Sequence, residues 1–419
     1  MAAIALVVSG TGGEAGEAVK QGAWPAQRVE IRPWRQAQRG GSRDDRMLRE
    51  IAVSLPAHIA DAPVPIDAEL AARLEDALRD IADLDATRAP VLEPLRLLLL
   101  RTESVASSKI ESVEASLDDY ARALHGVRAN PSAVSMVAAT GALDRLISRH
   151  TPGERAGLDA ILDAHAVLMA DDRSESAYGG RLRDMQNWIG GSDHSPLGAV
   201  YVPPPPETVE AYMEDLLAFV NRDDVPALAQ AAITHAQFEA IPPFTDGNGR
   251  IGRALINTVL RRRGATRSVV VPLASALVAR RDRYFDLLTG YGRGHLRPLL
   301  LEFATAVVIC SRQSLISATR LESVPGLWRS QVGPARRGSA TAALLDLLLS
   351  RPILTSESAA EAIGASSSAV SVALNRLLAA GVLRPLTDRK RDQVWGAAAV
   401  LDELEALNVR IAAATRAEP

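Results

Sequence analysis

The sequence predicts an all-α protein with two small β insertions, and three observations carry that expectation. The 419 residues are rich in Ala, Leu and Arg and poor in aromatics (4 %), a composition weighted toward good helix formers. Apolar residues recur at helical spacing along most of the chain, as at Leu70, Leu74, Leu78 and Ile81. The helical period gives way to strand candidates around residues 187–202 and 382–396, where short runs lie beside Gly, Ser and Pro.

The length suits two or three domains. A hydrophobic content of 47 % excludes wholesale disorder, and a net charge of −3 gives no global argument for nucleic acid or membrane binding. The single cysteine, Cys310, lies in an apolar helical run and reads as a buried structural thiol. A reducing, cytoplasmic setting fits it, and no apolar run is expected to span a bilayer. Met1–Val8 lacks a positive leading segment and does not read as a signal peptide. The expected divisions are a disordered extension over 1–23, an N-terminal arm and helical region over 24–134, a core over 135–318, a linker over 319–339 and a C-terminal domain over 340–419.

In order, Trp24–Asp45 reads as an irregular, arginine-rich arm docked by Trp24 and Trp34. Asp67 is placed to cap a helix over 67–87. Residues 91–124 hold a helical pair, within which Ser107 and Glu111 stand four apart and share a face. Helices follow over 131–149 and 154–170, the second carrying His165 as a core residue. At Tyr178–Pro206 the helical period stops. Asn187, Trp188 and Ile189 form one short strand candidate; Ala199, Val200, Tyr201 and Val202 form its partner across a Gly/Ser/Pro turn. The prolines at 203–206 end it and lead into a helix from about Glu207.

The densest chemistry lies at 235–253, HAQFEAIPPFTDGNGRIGR. It reads as a helix, a Gly-rich loop and a second helix over Arg250–Arg262. Gly247 and Gly249 permit positive φ and a close approach of backbone N–H groups to an anion. The second helix aims its positive end at the same spot. Arg250 and Arg253, three apart, can both reach phosphate oxygens, and Asp246 offers a carboxylate to a bridging divalent cation. The pattern points to a di- or triphosphate with its metal. Beyond it, Arg261–Arg263 end the helix before Gly264, and an apolar helix over Leu299–Leu315 closes the bundle.

The stretch FEAIPPFTDGNGRIGR resembles the signature of the Fic (Fido) family nearly letter for letter. The resemblance implies a Fic-type helical bundle with a β-hairpin flap, in which residues 187–189 and 200–202 clamp a protein target by strand addition. It implies transfer of AMP from ATP, with Mg2+, to a Ser, Thr or Tyr hydroxyl. Gly247, Asn248 and Gly249 would hold the phosphates, Arg250 and Arg253 the outer phosphates, and Asp246 the metal. Where the family has the histidine that serves as general base, this chain has Pro242, which cannot titrate. Ser107–Ser108–Lys109–Ile110–Glu111–Ser112 resembles the family's inhibitory motif, whose glutamate, here Glu111, pairs with the second signature arginine, here Arg253. The usual Gly or Asn after that glutamate is replaced by Ser112. His235 lies two turns before Pro242, about 10 Å down the helix, too far to replace the base; His194 at the flap tip is a remote alternative.

In the C-terminal part, helices over Ala340–Leu349, Ser356–Ile363 and Ser366–Leu378 precede strands over Val382–Leu386 and Gln393–Gly396. That order is a winged helix-turn-helix. Its third helix offers Ser367, Ser368, Ser371, Asn375 and one basic residue, Arg376; the wing offers Arg389, Lys390 and Arg391. The basic footprint over 340–407 is modest, so protein contact or homodimerisation is a better reading than DNA binding. The whole reads as an adenylyltransferase inactive or strongly impaired by Pro242. The alternatives are an ATP sensor acting through the winged helix, or different phosphate chemistry with water or Glu111 in the base's place.

Overall fold

The described chain enters on a strand. The computed structural model describes residues 23–36, 40–87, 89–127, 129–387 and 393–418. The expectation for 1–23, save Ala23, and the wing residues Arg389, Lys390 and Arg391 lie outside these. β1 (Arg28–Pro33) and β2 (Glu50–Leu55) pair antiparallel, from Arg28 opposite Leu55 to Pro33 opposite Glu50, around the short α1 (Arg43–Met47). This corrects the irregular arm: Val29 and Ile31 alternate with Arg28, Glu30 and Arg32, a period of two inside a charged segment. Trp24 is buried against Tyr291, and Trp34 meets Trp188 edge-on at 5.9 Å.

α2 (Ala68–Asp85) starts at Asp67, whose Oδ1 accepts from Leu70 N at 2.8 Å. α3 (Ala89–Ile110), α4 (Leu117–Leu124), α5 (Pro131–Ser148) and α6 (Leu158–Met169) follow. After the flap come α7 (Val209–Val220), α8 (Ala227–Ala240) and α9 (Asn248–Arg262), then α10 (Leu273–Ala279), α11 (Arg281–Gly292) and α12 (Leu296–Val332). α8 and α9 pack on each other and are buried on nearly every side, the pattern of central bundle helices.

The expected hairpin flap is reduced to one antiparallel bridge, Ile189 to Tyr201, with Ile189 N–H donating to Tyr201 O and Val200 N–H to Ile189 O, both at 2.8 Å. Gly190, Gly191 and Gly198 are all left-handed (φ 70–74°), which ends the pairing at once. The flap is stitched to the N-terminal sheet instead: Ser54 N–H donates to Val202 O at 2.8 Å.

The linker over 319–339 is also corrected. α12 runs 37 residues to Val332 and takes Pro325 inside it, so only residues 333–339 connect it onward. α12 is long and apolar enough to cross a membrane, contrary to expectation. Its apolar residues, Leu299, Phe303, Val307 and Cys310 among them, are buried, and it packs on α2, α3 and α16 (Ala398–Ala417), as a core helix does. Before α16 come α13 (Ala340–Leu347), β3 (Ile353–Thr355), α14 (Ser356–Ile363), α15 (Ser367–Ala379), β4 (Leu383–Pro385) and β5 (Val394–Ala397). The sheet order is β3-β5-β4, antiparallel throughout. α16 fastens this unit to the rest: Glu403 on it accepts from Ser317 Oγ at 2.6 Å and faces Arg320 at 3.0 Å.

Candidate active site

The glycine-rich loop joins α8 to α9. Gly247, the residue before α9, is left-handed (φ 74°), and a Cβ there would lie 2.6 Å from Met169 Cε and 2.8 Å from Leu168 Cδ2. Only glycine meets both demands. Gly249 is not left-handed, which corrects the expectation of positive φ at both glycines. It serves close approach: a Cβ there would lie 2.2 Å from Glu111 Oε1 and 2.7 Å from Arg253 Nη1. The first-turn N–H groups of α9 have no partner within the helix and open at this point. Asn248 has its side chain committed elsewhere. Its Oδ1 accepts from Phe244 N and its Nδ2 donates to Phe244 O, both at 2.8 Å, so the side chain closes the loop and leaves only backbone for an anion.

Two residues hold this loop from beneath. Phe244 is fully buried and stacks on His165 with ring centroids 3.7 Å apart. Gly180 N–H donates to His165 Nδ1 at 3.0 Å, so Nε2 carries the proton and donates to Asp246 O at 3.1 Å. Burial pulls the His165 pKa down to about 4, which keeps this neutral tautomer at pH 7. Arg183 gathers carbonyls: Nε donates to Pro242 O at 2.8 Å, Nη2 to Pro204 O at 2.6 Å and its backbone N–H to Pro243 O at 2.9 Å. Burial lowers its pKa to about 10, still charged at neutral pH. Neither role is visible in the sequence, where His165 reads as a core residue.

Glu111, at the end of α3, reaches across to α9. Its Oε1 accepts from Arg253 Nη2 at 2.7 Å and its Oε2 lies 2.9 Å from Arg250 Nε. One carboxylate therefore bridges both signature arginines, where the resemblance implied Arg253 alone. Arg253, 2 % exposed, also donates to Ser107 Oγ at 2.8 Å and Ser107 O at 2.9 Å. Arg250 donates to Ser135 Oγ at 2.8 Å and faces Asp246 at 3.5 Å. Ser112, next after Glu111, is the non-glycine residue with positive φ (62°) among the described residues. Gly or Asn would fit that conformation better.

The cleft in front of the loop is walled by Glu111, Asn187, Trp188, Ile189, Pro203, Glu239, Pro242, Asp246, Gly249 and Arg253. Its cavity volume is about 130 Å³, below the roughly 300–1,000 Å³ of small-molecule sites. Tyr201 forms the flap bridge with Ile189, between Val200 and Val202, and Tyr201 OH donates to Ala240 O at 2.6 Å. Neither surveyed histidine is available as a base. His235 is fully buried, 2.9 Å from Tyr284 OH, and burial brings its pKa down to about 3. His194 packs beside Gly40. Among the described residues no group of three or more His, Cys, Asp or Glu could hold a metal by itself. Asp246 alone suits Mg2+ only as the ion is usually held, by one or two carboxylates plus substrate phosphates.

The site is thus a helical bundle whose central helix opens on a glycine loop, with two arginines at that opening and a glutamate drawn across them. Residues 156–260 match the model of the Fic/DOC family. The chain is 28 % identical over 146 residues to the protein adenylyltransferase fic-1 of Caenorhabditis elegans, covering 34 % of this chain and 25 % of that protein. It is 32 % identical over 146 residues to the protein adenylyltransferase Fic of Nematostella vectensis, covering 34 % and 30 %. The match thus spans about a quarter to a third of those relatives' length. A crystal structure of a Fic family protein from Desulfovibrio desulfuricans G20 superposes with a TM-score of 0.51 at 20 % identity, covering 80 % of this chain and 97 % of that one. That likeness concerns the fold.

Proposed function

We propose that the chain is a Fic-type protein adenylyltransferase held off in two separate ways. The observation that carries this reading is the Glu111 carboxylate, bridging Arg250 and Arg253 over Gly249. A carboxylate occupies the charges and the helix end that a terminal phosphate of ATP would use. In the reaction a target Ser, Thr or Tyr oxygen attacks the α-phosphorus and pyrophosphate leaves. Arg250 and Arg253 take the outer phosphates once Glu111 withdraws, the α9 N-terminus takes phosphate oxygens, and Asp246 would hold Mg2+. The ion, when bound, neutralises phosphate charge. The first restraint is Glu111; the second is Pro242, which leaves the family's base position without a titratable group. Losing a general base costs roughly 10²- to 10⁴-fold.

The C-terminal unit fits a winged helix used for protein contact or homodimerisation better than for DNA. Arg376, the basic residue of α15, donates to Val332 O at 3.0 Å and Pro334 O at 2.8 Å, so it anchors its own chain. A second reading, an ATP sensor with this unit as its output, draws on the packing of α16 against α3, the helix that ends just before Glu111. The deciding experiment is AMP incorporation from α-labelled ATP with Mg2+ in the Glu111→Gly background, with and without Pro242→His. Labelling of the chain or a lysate protein by the His form, far above the Pro form, is expected. ATP binding without labelling by either would move the reading to the sensor.

A further inference from the structure

We propose that Glu239 accepts the proton of the incoming hydroxyl in place of the base that Pro242 does not supply. This rests on the adenylyl-transfer reading above. The carboxylates on the cleft wall, among the described residues, are Glu111, Asp246 and Glu239. Glu111 has both oxygens on arginines, and Asp246 faces Arg250. Glu239 remains. It stands in the last turn of α8, three residues before Pro242, and the helical course persists through Ile241, whose N–H donates to Gln237 O and Phe238 O. Glu239 and Pro242 both line the cleft, and the Glu239 Oε1 packs against α9 at Gly252, where an added Cβ would lie 2.8 Å from it. The side chain is 14 % exposed, and its Oε1 is buried without a hydrogen-bond partner.

The charged and titratable groups around it come from three helices and the turn after a fourth. His235 Nδ1 lies 3.9 Å away on α8, and Arg253 on α9, Glu111 just past α3 and Tyr284 on α11 act on the same cluster. Burial brings the Glu239 carboxyl up to about 7, with Glu111 adding to the rise and Arg253 opposing it. A base is most effective with a pKa near the working pH. In the step, the target oxygen bonds to the α-phosphorus of ATP and the bond from that phosphorus to the bridging oxygen of the β-phosphate breaks. Pyrophosphate departs, and the hydroxyl proton ends on the Glu239 carboxylate.

The test uses the full chain with Glu111→Gly, read as single-turnover AMP incorporation from α-labelled ATP and Mg2+ between about pH 5.5 and 9, a span bracketing a neutral base. The expected profile rises with pH with a midpoint at or below about 7, since removing Glu111 removes a charge that holds Glu239 up. Adding Glu239→Gln should lower labelling roughly 10²-fold or more and flatten that rise, with ATP binding retained. Glu239→Asp, a second variant in case the first folds poorly, should keep the rise at a lower rate. Pro242→His should restore labelling to the Glu239→Gln chain. If Glu239→Gln labels as well as its parent with the same pH rise, the proposal is overturned. If the Pro242→His chain labels and the Pro242 chain does so at no pH, Glu239 is not a base and the adenylyl-transfer reading stands. If neither labels, the adenylyl-transfer reading fails and takes Glu239 with it.

Discussion

The two walls of the cleft are built on opposite terms. On the α3 side, Ser107, Glu111, Ser135, Arg250 and Arg253 answer one another's charges and hydrogen bonds within about 3 Å. On the flap side stand Pro203, Pro242, one bridging residue pair and a carboxylate with an unpartnered oxygen. The wall that would receive phosphates is complete and occupied by the chain itself. The wall that would receive the hydroxyl is sparse. The paired wall and the sparse wall therefore draw on different helices and can be altered one at a time.

The hardest blow to the occupied wall is Arg253→Ala. Arg253 is 2 % exposed and bonded to Ser107 and Glu111, and removing one partner of a buried pair costs roughly 3–5 kcal/mol. Urea denaturation should show a loss of that order; a loss under about 1 kcal/mol, the scale of a surface pair, would mean the wall is far less tightly built than the contacts imply. Behind it, Glu103 is 1 % exposed, accepts from Ala274 N at 2.7 Å, and is brought up to about 8 by burial. Because its folded pKa exceeds the unfolded one, native Glu103 keeps a proton that the unfolded chain loses. Wild-type stability therefore falls as pH rises from about 4.5 to about 8. Glu103→Gln should be nearly neutral at the acid end and stabilising above that window by a few kcal/mol, at about 1.4 kcal/mol per pKa unit. Parallel thermal melts across the window would expose a flat difference if the carboxyl is not held neutral.

Smaller effects sharpen the same contrast. Glu111→Gly frees both arginines and should tighten ATP binding on the order of tenfold, about 1.4 kcal/mol, by calorimetry; unchanged affinity would show that the bridge does not compete with phosphate. Ser112→Gly relieves a left-handed serine and should stabilise by about 1 kcal/mol. A neutral or negative change in denaturation midpoint would place the cost elsewhere, for instance in the lost contact from Arg281 to Ser112 Oγ.

Local rules made much of this legible. Helical period and caps place α2, α14 and α15 within a residue or two, and the glycine loop marks where α9 begins. The four-residue spacing puts Ser107 and Glu111 on the face that meets Arg253. Facts that depend on packing were hidden. β1 is masked by its arginines, and α12 continues through Pro325 because its far half has α13 and α16 to lie against. Asn248 spends its side chain on Phe244, a contact no spacing reveals. The shifted pKa values of Glu103, His165 and Glu239 arise from burial, and burial is a property of the assembled bundle.

α12 has a mechanical consequence. At 37 residues it is a rod of about 55 Å. Its near half is tied to α2 through Arg297 to Asp67 and Arg312 to Asp80; its middle is tied to α16 through Ser317 and Arg320 to Glu403. Load applied to the C-terminal unit, by a binding partner, a resin or a fused tag, passes along that rod to the helices around the cleft. A cut near residue 319 would sever a girder in mid-span, leaving each half with a bare apolar seam.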